Sequence, residues 1–218
     1  MAGAVMIALF IRGDRNIRIF AAAVSLAELV LAIVIFALFD LDAGADQYQL
    51  IDKAENWIPI DSFKVQYFLG IDGISAPMVL LTGLLGSVAV YSSWSVKTRV
   101  REYFMWLLAL QSAVMGVFTA LDFFMFFLFW ELELIPMFFL ISIWGSGRRE
   151  YSAMKFVIFT ILGSAFMLIG ILVLFYSTGT FDMTLLPEAI ANGKLLLPIG
   201  TVFTLLFIPV LVRRILVE

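Results

Sequence analysis

Long apolar runs separated by short polar segments dominate the sequence. A helix needs roughly 20 apolar residues to cross a bilayer, and several runs reach that length. The predicted spans are Ile19–Phe39, Ile74–Trp94, Tyr103–Ala120, Phe123–Trp144, Tyr151–Tyr176 and Leu195–Val212. Met1–Ile11 is a shorter apolar run, interpreted as the last part of a further transmembrane helix. The pattern predicts an all-α, polytopic transmembrane bundle of about six or seven helices.

Composition narrows the class of protein and the chemistry that is open to it. Apolar residues make up 63% of the 218-residue chain and charged residues 14%, too apolar a balance for a soluble domain. The net charge of -3 does not suggest a nucleic-acid partner. Without Cys or His, the chain has no thiolate or imidazole ligand for a metal, haem or iron–sulfur cluster. Proton chemistry would therefore fall to carboxylates, Lys, Tyr, hydroxyl groups or water.

The basic residues divide unequally between alternate turns of this predicted topology. Eleven of the 14 fall on one side and three on the other. The richer side holds Arg12, Arg15, Arg18, Lys97, Arg99, Arg101, Arg148, Arg149, Lys155, Arg213 and Arg214, and the poorer side holds Lys53, Lys64 and Lys194. Because Lys and Arg accumulate in cytoplasmic loops, we expect the Arg-rich turns in the cytoplasm, matrix or stroma and the N-terminus outside.

With that orientation the chain divides into three parts. We expect residues 1–39 to form N-terminal transmembrane helices, 40–73 an extracytoplasmic loop, and 74–218 the remaining transmembrane helices. Phe63–Leu69 alternates loosely within the loop and predicts a short strand.

Glu131 is the principal candidate for chemistry. It lies about nine residues into the aromatic span Phe123–Trp144, hence about 13 Å deep at about 1.5 Å per residue. Acidic side chains near the bilayer centre cost at least about 2.5–3.5 kcal/mol on insertion scales, which makes them functional candidates. The alternative is a protonated glutamate that only bonds a neighbouring helix.

Three further residues within the predicted spans are weaker candidates for a functional role. Glu133 lies about 200° around the helix from Glu131, so the two carboxylates face different neighbours. Pro136 frees the carbonyl of Leu132 beside both acids, which fits either a packing kink or a hydrated site. Glu28 is an acid in the second span that fits a peripheral interface.

Lys155 begins the helix that follows these acids. It could extend its ammonium group to the cytoplasmic surface or turn inward to pair with Glu131. In the second arrangement, its movement would control the proton affinity of the glutamate.

Several segments together resemble a known family of membrane subunits. They are Phe68–Pro77, Leu121–Met137, Ile143–Gly145, Arg148–Arg149 and Tyr151–Phe156. These segments resemble the M chain (subunit 4) family of respiratory and photosynthetic complex I, an antiporter-like subunit related to Mrp-type cation/proton antiporters. The resemblance covers roughly Asp46 to Asp182.

The resemblance implies proton translocation driven by quinone reduction elsewhere in a complex. It places the family's mid-membrane glutamate on Glu131 and a lysine of the following helix on Lys155. Arg213 lies near the place of another family lysine, but arginine does not readily give up a proton, so that role is not transferred to it.

The family fold contains two inverted repeats, and the resemblance gives this chain the peripheral helices and most of the first repeat. We therefore expect a fragment, a split gene or a truncated product. The implied partners are the lipid bilayer and neighbouring membrane subunits of complex I, with quinone, FMN and iron–sulfur clusters held by other subunits and no cofactor or metal by this chain. The implied location is the bacterial inner membrane, or the thylakoid membrane.

Two alternatives remain open at this point. The chain could belong to an Mrp-type antiporter without an electron-transfer partner. It could instead be a truncated structural subunit, in which Glu131 is only a buried packing group.

Overall fold

Eight helices and one hairpin account for most of the described residues. The computed structural model describes residues 1–40, 48–60, 63–192 and 195–217, with side chains except those of 55–65 and 209–217. The helices are α1 (Ala2–Leu9), α2 (Asp14–Leu38), α3 (Ser75–Ser92), α4 (Val100–Thr119), α5 (Phe123–Trp144), α6 (Arg149–Thr178), α7 (Leu186–Ala191) and α8 (Ile199–Val217). The strands are β1 (Gln49–Ile60) and β2 (Phe63–Ile71).

The predicted all-α, polytopic transmembrane class is confirmed, while the described residues contain five spanning helices where about six or seven were predicted. Within the described part of the chain, α2 to α6 are long and apolar enough to cross a membrane. The observed bounds of α5 are the predicted ones, and the other helices begin or end a few residues from their predicted limits. At the starts of α2, α4 and α6 the difference arises because polar residues extend the helix beyond the apolar run that reveals it, whereas α3 is shorter than its apolar run.

The segment predicted as a loop contains a β-hairpin. β1 and β2 pair antiparallel, with Lys53 opposite Phe68 and Ala54 opposite Tyr67. The short strand predicted at Phe63–Leu69 is confirmed within β2. The first strand was not predicted because its polar and charged residues, together with irregular pairing between Ala54 and Ile58, break the two-residue alternation that marks a strand.

Hydrogen bonds join the Arg-rich turns at one end of the bundle. Arg18 on α2 donates to the Val96 carbonyl before α4 at 2.8 Å. The Trp144 indole at the end of α5 donates to the Thr98 carbonyl at 2.8 Å. These contacts place the three basic turns on one side, as the charge pattern predicts. The side chains of Lys64, Lys194, Arg213 and Arg214 lie outside the described residues.

The opposite end is joined through the backbone. The Leu121 amide donates to the Phe68 carbonyl of β2 at 3.0 Å, and the Met183 amide donates to the Leu121 carbonyl at 3.0 Å. The Phe123 amide donates to the Phe181 carbonyl at 2.9 Å. The hairpin, the α4–α5 turn and the segment after α6 therefore form one layer.

Helix α5 packs between α4 and α6. On the α4 side, the Phe129 ring rests against Gly116, where a Cβ atom would lie 2.4 Å from the ring, and Trp106 stacks on Phe139 at 4.5 Å between centroids. On the other side, α5 packs against buried Met167 of α6. The aromatic residues of α5 that pack around Met167 are Phe123, Phe124, Phe126, Phe127 and Trp130.

Candidate functional site

The start of α5 is fixed by Asp122. One oxygen of its carboxylate accepts hydrogen bonds from the backbone amides of Phe124 at 2.9 Å and Met125 at 3.0 Å. Acidic side chains are favoured at this position because they satisfy amides that lack a partner in the first helical turn. Asp122 therefore sets where α5 begins, and with it the depth of every residue along the helix.

A second carboxylate faces Asp122 across the layer. Asp122 and Asp182 form an isolated antiparallel bridge, and both side chains are buried. The Lys53 ammonium group from the hairpin lies 3.5 Å from the Asp182 carboxylate and 4.7 Å from the centre of the Phe68 ring. The cluster thus ties the hairpin to the helix that carries Glu131.

Burial raises the pKa of the Asp122 carboxyl above its usual range. Hydrogen bonds from the backbone amides of Met125, Phe124 and Gln66 act in the opposite direction, and neighbouring Asp182 adds to the increase. Asp122 is only 1% exposed, so desolvation of the charged form is the dominant cause.

The raised pKa of Asp122 predicts a pH dependence of stability. The stabilisation that comes from keeping Asp122 protonated in the folded protein is fully present below the ordinary aspartate pKa of about 3.9. It is lost as the pH rises through the raised pKa of the folded state. Asp122→Asn should therefore flatten this dependence while keeping the cap. Asp122→Ala should instead lose about 0.5–2 kcal/mol through the missing cap. Thermal unfolding of both variants across pH measures the difference, and identical pH profiles for Asp122→Asn and the unmodified protein would contradict it.

Glu131 is the ninth residue of the 22-residue helix α5. Its side chain is half-buried, and its Oε1 atom is buried with no hydrogen-bond partner among the described residues. The indole N–H of the preceding Trp130 is likewise buried and unpartnered in this part of the chain. Buried polar atoms are nearly always paired, so an exception calls for an explanation beyond packing.

The other two candidate residues of α5, Glu133 and Pro136, have different surroundings. Glu133 is half-buried and hydrogen-bonds or interacts electrostatically within the protein. Pro136 lies inside the helix and is buried. Leu132 and Pro136 line a groove shared with α1 and α4, so the proline faces that side of the bundle.

The two remaining candidates lie on other helices. Lys155 is exposed near the start of α6 and makes no ion pair with Glu131 within the described residues. Glu28 is half-buried on α2, a helix that packs mainly against α3 and α4. The positions of Lys155 and Glu28 do not test whether either residue takes part in proton movement, so both roles stay predictions.

Sequence reasoning missed the Asp122–Asp182 pair. An aspartate directly before an apolar helix is a helix-start signal, so the capping role of Asp122 was accessible from sequence. Its meeting with Asp182, which is 60 positions later, depends on the return of the chain after α6 and has no local signal.

Comparison with known proteins relates the chain to membrane subunits. Residues 120–216 match the family described as "NADH:quinone oxidoreductase/Mrp antiporter, TM". NAD(P)H-quinone oxidoreductase chain 4 2 of Thermosynechococcus vestitus is 38% identical over 186 residues, which are 85% of this chain and 34% of that protein. NADH-quinone oxidoreductase subunit M of Rhodobacter capsulatus is 38% identical over 191 residues, 85% of this chain and 36% of that protein. The chain thus spans about a third of these relatives.

Solved structures share the fold at lower sequence identity. A chain of the archaeal membrane-bound sulfane sulfur reductase matches with a TM-score of 0.75 at 20% identity, over 95% of this chain and 40% of that one. A chain of Thermus thermophilus respiratory complex I matches with a TM-score of 0.73 at 21% identity, over 94% of this chain and 41% of that one. A chain of the Mrp complex from Dietzia sp. matches with a TM-score of 0.69 at 21% identity, over 95% of this chain and 38% of that one.

Proposed function

Because this chain belongs, through residues 120–216, to the NADH:quinone oxidoreductase/Mrp antiporter family, we propose that it is a proton-translocating membrane subunit of a complex I-type quinone oxidoreductase. Quinone reduction by NAD(P)H or ferredoxin in other subunits would drive it. Glu131 would be the group that takes up and releases the proton.

The observation that carries this proposal is the environment of Glu131. The carboxyl group lies in the middle of an apolar helix, and its Oε1 atom is buried without a partner among the described residues. An acid in this position costs stability unless it is protonated, paired or hydrated. A group held between these states is suited to exchanging a proton during turnover.

Neighbouring residues would act on Glu131 through charge and hydration. Lys155 would pair with the glutamate when its ammonium group turns inward and leave it when the group withdraws to the surface. Glu133 would serve a neighbouring helix or subunit, and Pro136 would free the Leu132 carbonyl for an internal water. The step moves a proton without changing the oxidation state of any residue.

The redox chemistry belongs elsewhere in this proposal. FMN, iron–sulfur clusters and quinone would be held by other subunits, and this chain would bind none of them. It would lie in the bacterial inner membrane, or in the thylakoid membrane, beside other antiporter-like subunits. The Arg-rich turns would face the cytoplasm and the N-terminus the outside.

A second candidate is a subunit of an Mrp-type cation/proton antiporter. The TM-score of 0.69 to a chain of the Mrp complex supports it, because the same fold serves both assemblies. The sequence relatives favour the first candidate, since the quinone oxidoreductase subunits reach 38% identity. A structural subunit without transport is the third candidate.

Purification of the whole protein in mild detergent distinguishes these candidates. Co-purification with quinone-reducing, iron–sulfur-containing subunits is expected for the first. Sodium-dependent proton transport without those subunits would instead support the second candidate, the Mrp-type antiporter subunit. Assembly and pumping that are both indifferent to Glu131→Gln would support the third.

A further inference from the structure

Two buried carboxyl groups face each other where the chain returns to the start of α5. Asp122 and Asp182 are partners in an antiparallel bridge and are 1% and 5% exposed. The backbone hydrogen bonds of this bridge are made by the residues on either side of the two aspartates. A pair flanked in this way has both side chains on one face, with Cβ atoms about 4.5–5.5 Å apart. The bridge therefore brings two acidic side chains together where little water reaches them.

Four segments of the protein supply the partners of these two side chains. Asp122 accepts hydrogen bonds from two amides in the first turn of α5 and from the Gln66 amide of β2. Asp182 Oδ1 accepts hydrogen bonds from the Thr184 amide at 2.9 Å and the Thr184 hydroxyl at 2.5 Å. Lys53 of β1 supplies the positive charge among the described residues, with its Nζ atom 3.5 Å from Asp182 Oδ2. The hairpin, α5 and the segment after α6 thus meet at the pair.

One ammonium group cannot neutralise two carboxylates. With Asp122 and Asp182 both ionised, one buried negative charge would stay uncompensated beside a like charge. Buried carboxyl groups this close avoid that cost by keeping one proton between them. Lys53 pairs with Asp182, so the proton belongs on Asp122. Burial and the neighbouring Asp182 both raise the pKa of Asp122, in agreement with this charge balance.

We propose that the Asp122–Asp182 bridge is a pH-sensitive clasp between the start of α5 and the segment after α6, and that it stays closed while Asp122 is protonated. A neutral Asp122 faces the Asp182 carboxylate without charge repulsion. When the proton leaves, two negative charges face each other, and the clasp opens more often because opening lets water reach the newly charged group. In the proposed orientation this end of the bundle faces the outside, so the clasp responds to the external pH.

The clasp controls how firmly the outer ends of α5 and α6 are joined. Phe181, the residue before Asp182, is 1% exposed. Its ring stacks on Phe175 of α6 at 4.2 Å between centroids and lies 5.8 Å from the Phe124 ring of α5. Opening of the clasp releases the backbone on both sides of Asp182 and so weakens this aromatic contact.

Hydrogen exchange in the assembled complex tests the clasp. The Phe123 and Met183 amides make the hydrogen bonds of the bridge, so they exchange when it opens. Mass spectrometry measures their protection, corrected for the intrinsic effect of pH on exchange. Opening releases one proton, so protection should fall about tenfold per pH unit from about pH 3.9 to the raised pKa of Asp122 and level off above it. Protection that stays constant across this range would overturn the proposal.

Three substitutions assign the response to the pair. Asp122→Asn keeps an acceptor for the amides of α5 but cannot ionise, so protection should no longer depend on pH. Asp182→Asn removes the second charge, so protection should level off at a lower pH than in the unmodified complex. Asp72→Asn is the control, because Asp72 also accepts two backbone amides at the start of a helix, α3. It should keep the unmodified response.

The outcomes separate the clasp from a general effect of pH and from the proposed function. A response that survives Asp122→Asn or disappears in Asp72→Asn would overturn the clasp. A response that levels off at the unmodified pH in Asp182→Asn would overturn the pairing of the two acids. The clasp does not depend on the role of Glu131, so a Glu131→Gln complex should keep the full response even if it no longer pumps.

Discussion

Replacing Glu131 with Gln is expected to abolish proton pumping while the complex still assembles. Gln keeps the shape and polarity of the side chain but cannot release a proton at any accessible pH. A positioned proton-transfer group contributes about 10²–10⁴-fold to the step that it serves, so the pumping rate should fall by at least that order. The measurement is proton uptake into membrane vesicles after addition of the electron donor.

The matched control for this substitution lies two residues along the same helix. Glu133→Gln makes the same chemical change on a different face of α5, at a side chain that already interacts within the protein. We expect it to retain more pumping than Glu131→Gln. Wild-type pumping in the Glu131→Gln complex would remove Glu131 from the proton path, whatever the effect of Glu133→Gln.

Gly116→Ala is expected to destabilise the contact between α4 and α5. An added Cβ atom would lie 2.4 Å from the Phe129 ring, a distance that the ring can relieve only by moving. Overpacking of this kind costs about 1–3 kcal/mol. Thermal unfolding of the purified protein in detergent measures the loss, and the shift of Phe129 would also disturb Glu131, which is two residues away.

Gly200→Ala separates this packing effect from the general effect of removing a helical glycine. A Cβ atom at Gly200 on α8 would meet no other described residue within 4 Å. That variant should keep its stability or gain up to about 1 kcal/mol from helix propensity. Equal melting temperatures for the two variants would show that α4 and α5 tolerate separation at Gly116.

Much of the bundle could be predicted from sequence because a membrane imposes strong rules. Each span needs about 20 apolar residues, and charge asymmetry assigns the turns to sides. The limits of α5 were predicted to the residue because Asp122 precedes its apolar run and Gly145 follows it. Such clear boundaries are absent around α2, whose first turn holds Asp14 and Arg15.

The extramembrane layer was harder to predict because its contacts join distant segments. The first strand of the hairpin carries charged residues that hide its alternation, and one of them, Lys53, pairs with Asp182 far along the chain. No local pattern reveals that meeting. The strand at Phe63–Leu69 was accessible because its alternation is a local property.

The candidate site was predicted from sequence only in part. An acid in an apolar helix identified Glu131, and the structure adds that its Oε1 atom has no partner among the described residues. The exposure of Lys155 depends on how α6 rotates against its neighbours, which the sequence does not fix locally.

The central claim is that Glu131 itself gains and loses a proton during turnover. Infrared difference spectroscopy of the reconstituted complex measures this directly, because a protonated carboxyl group has a C=O stretching band that its ionised form lacks. We predict a carboxyl band that changes on addition of the electron donor in the unmodified complex and is absent from the Glu131→Gln complex. The same band, unchanged in the Glu131→Gln complex, would contradict the account.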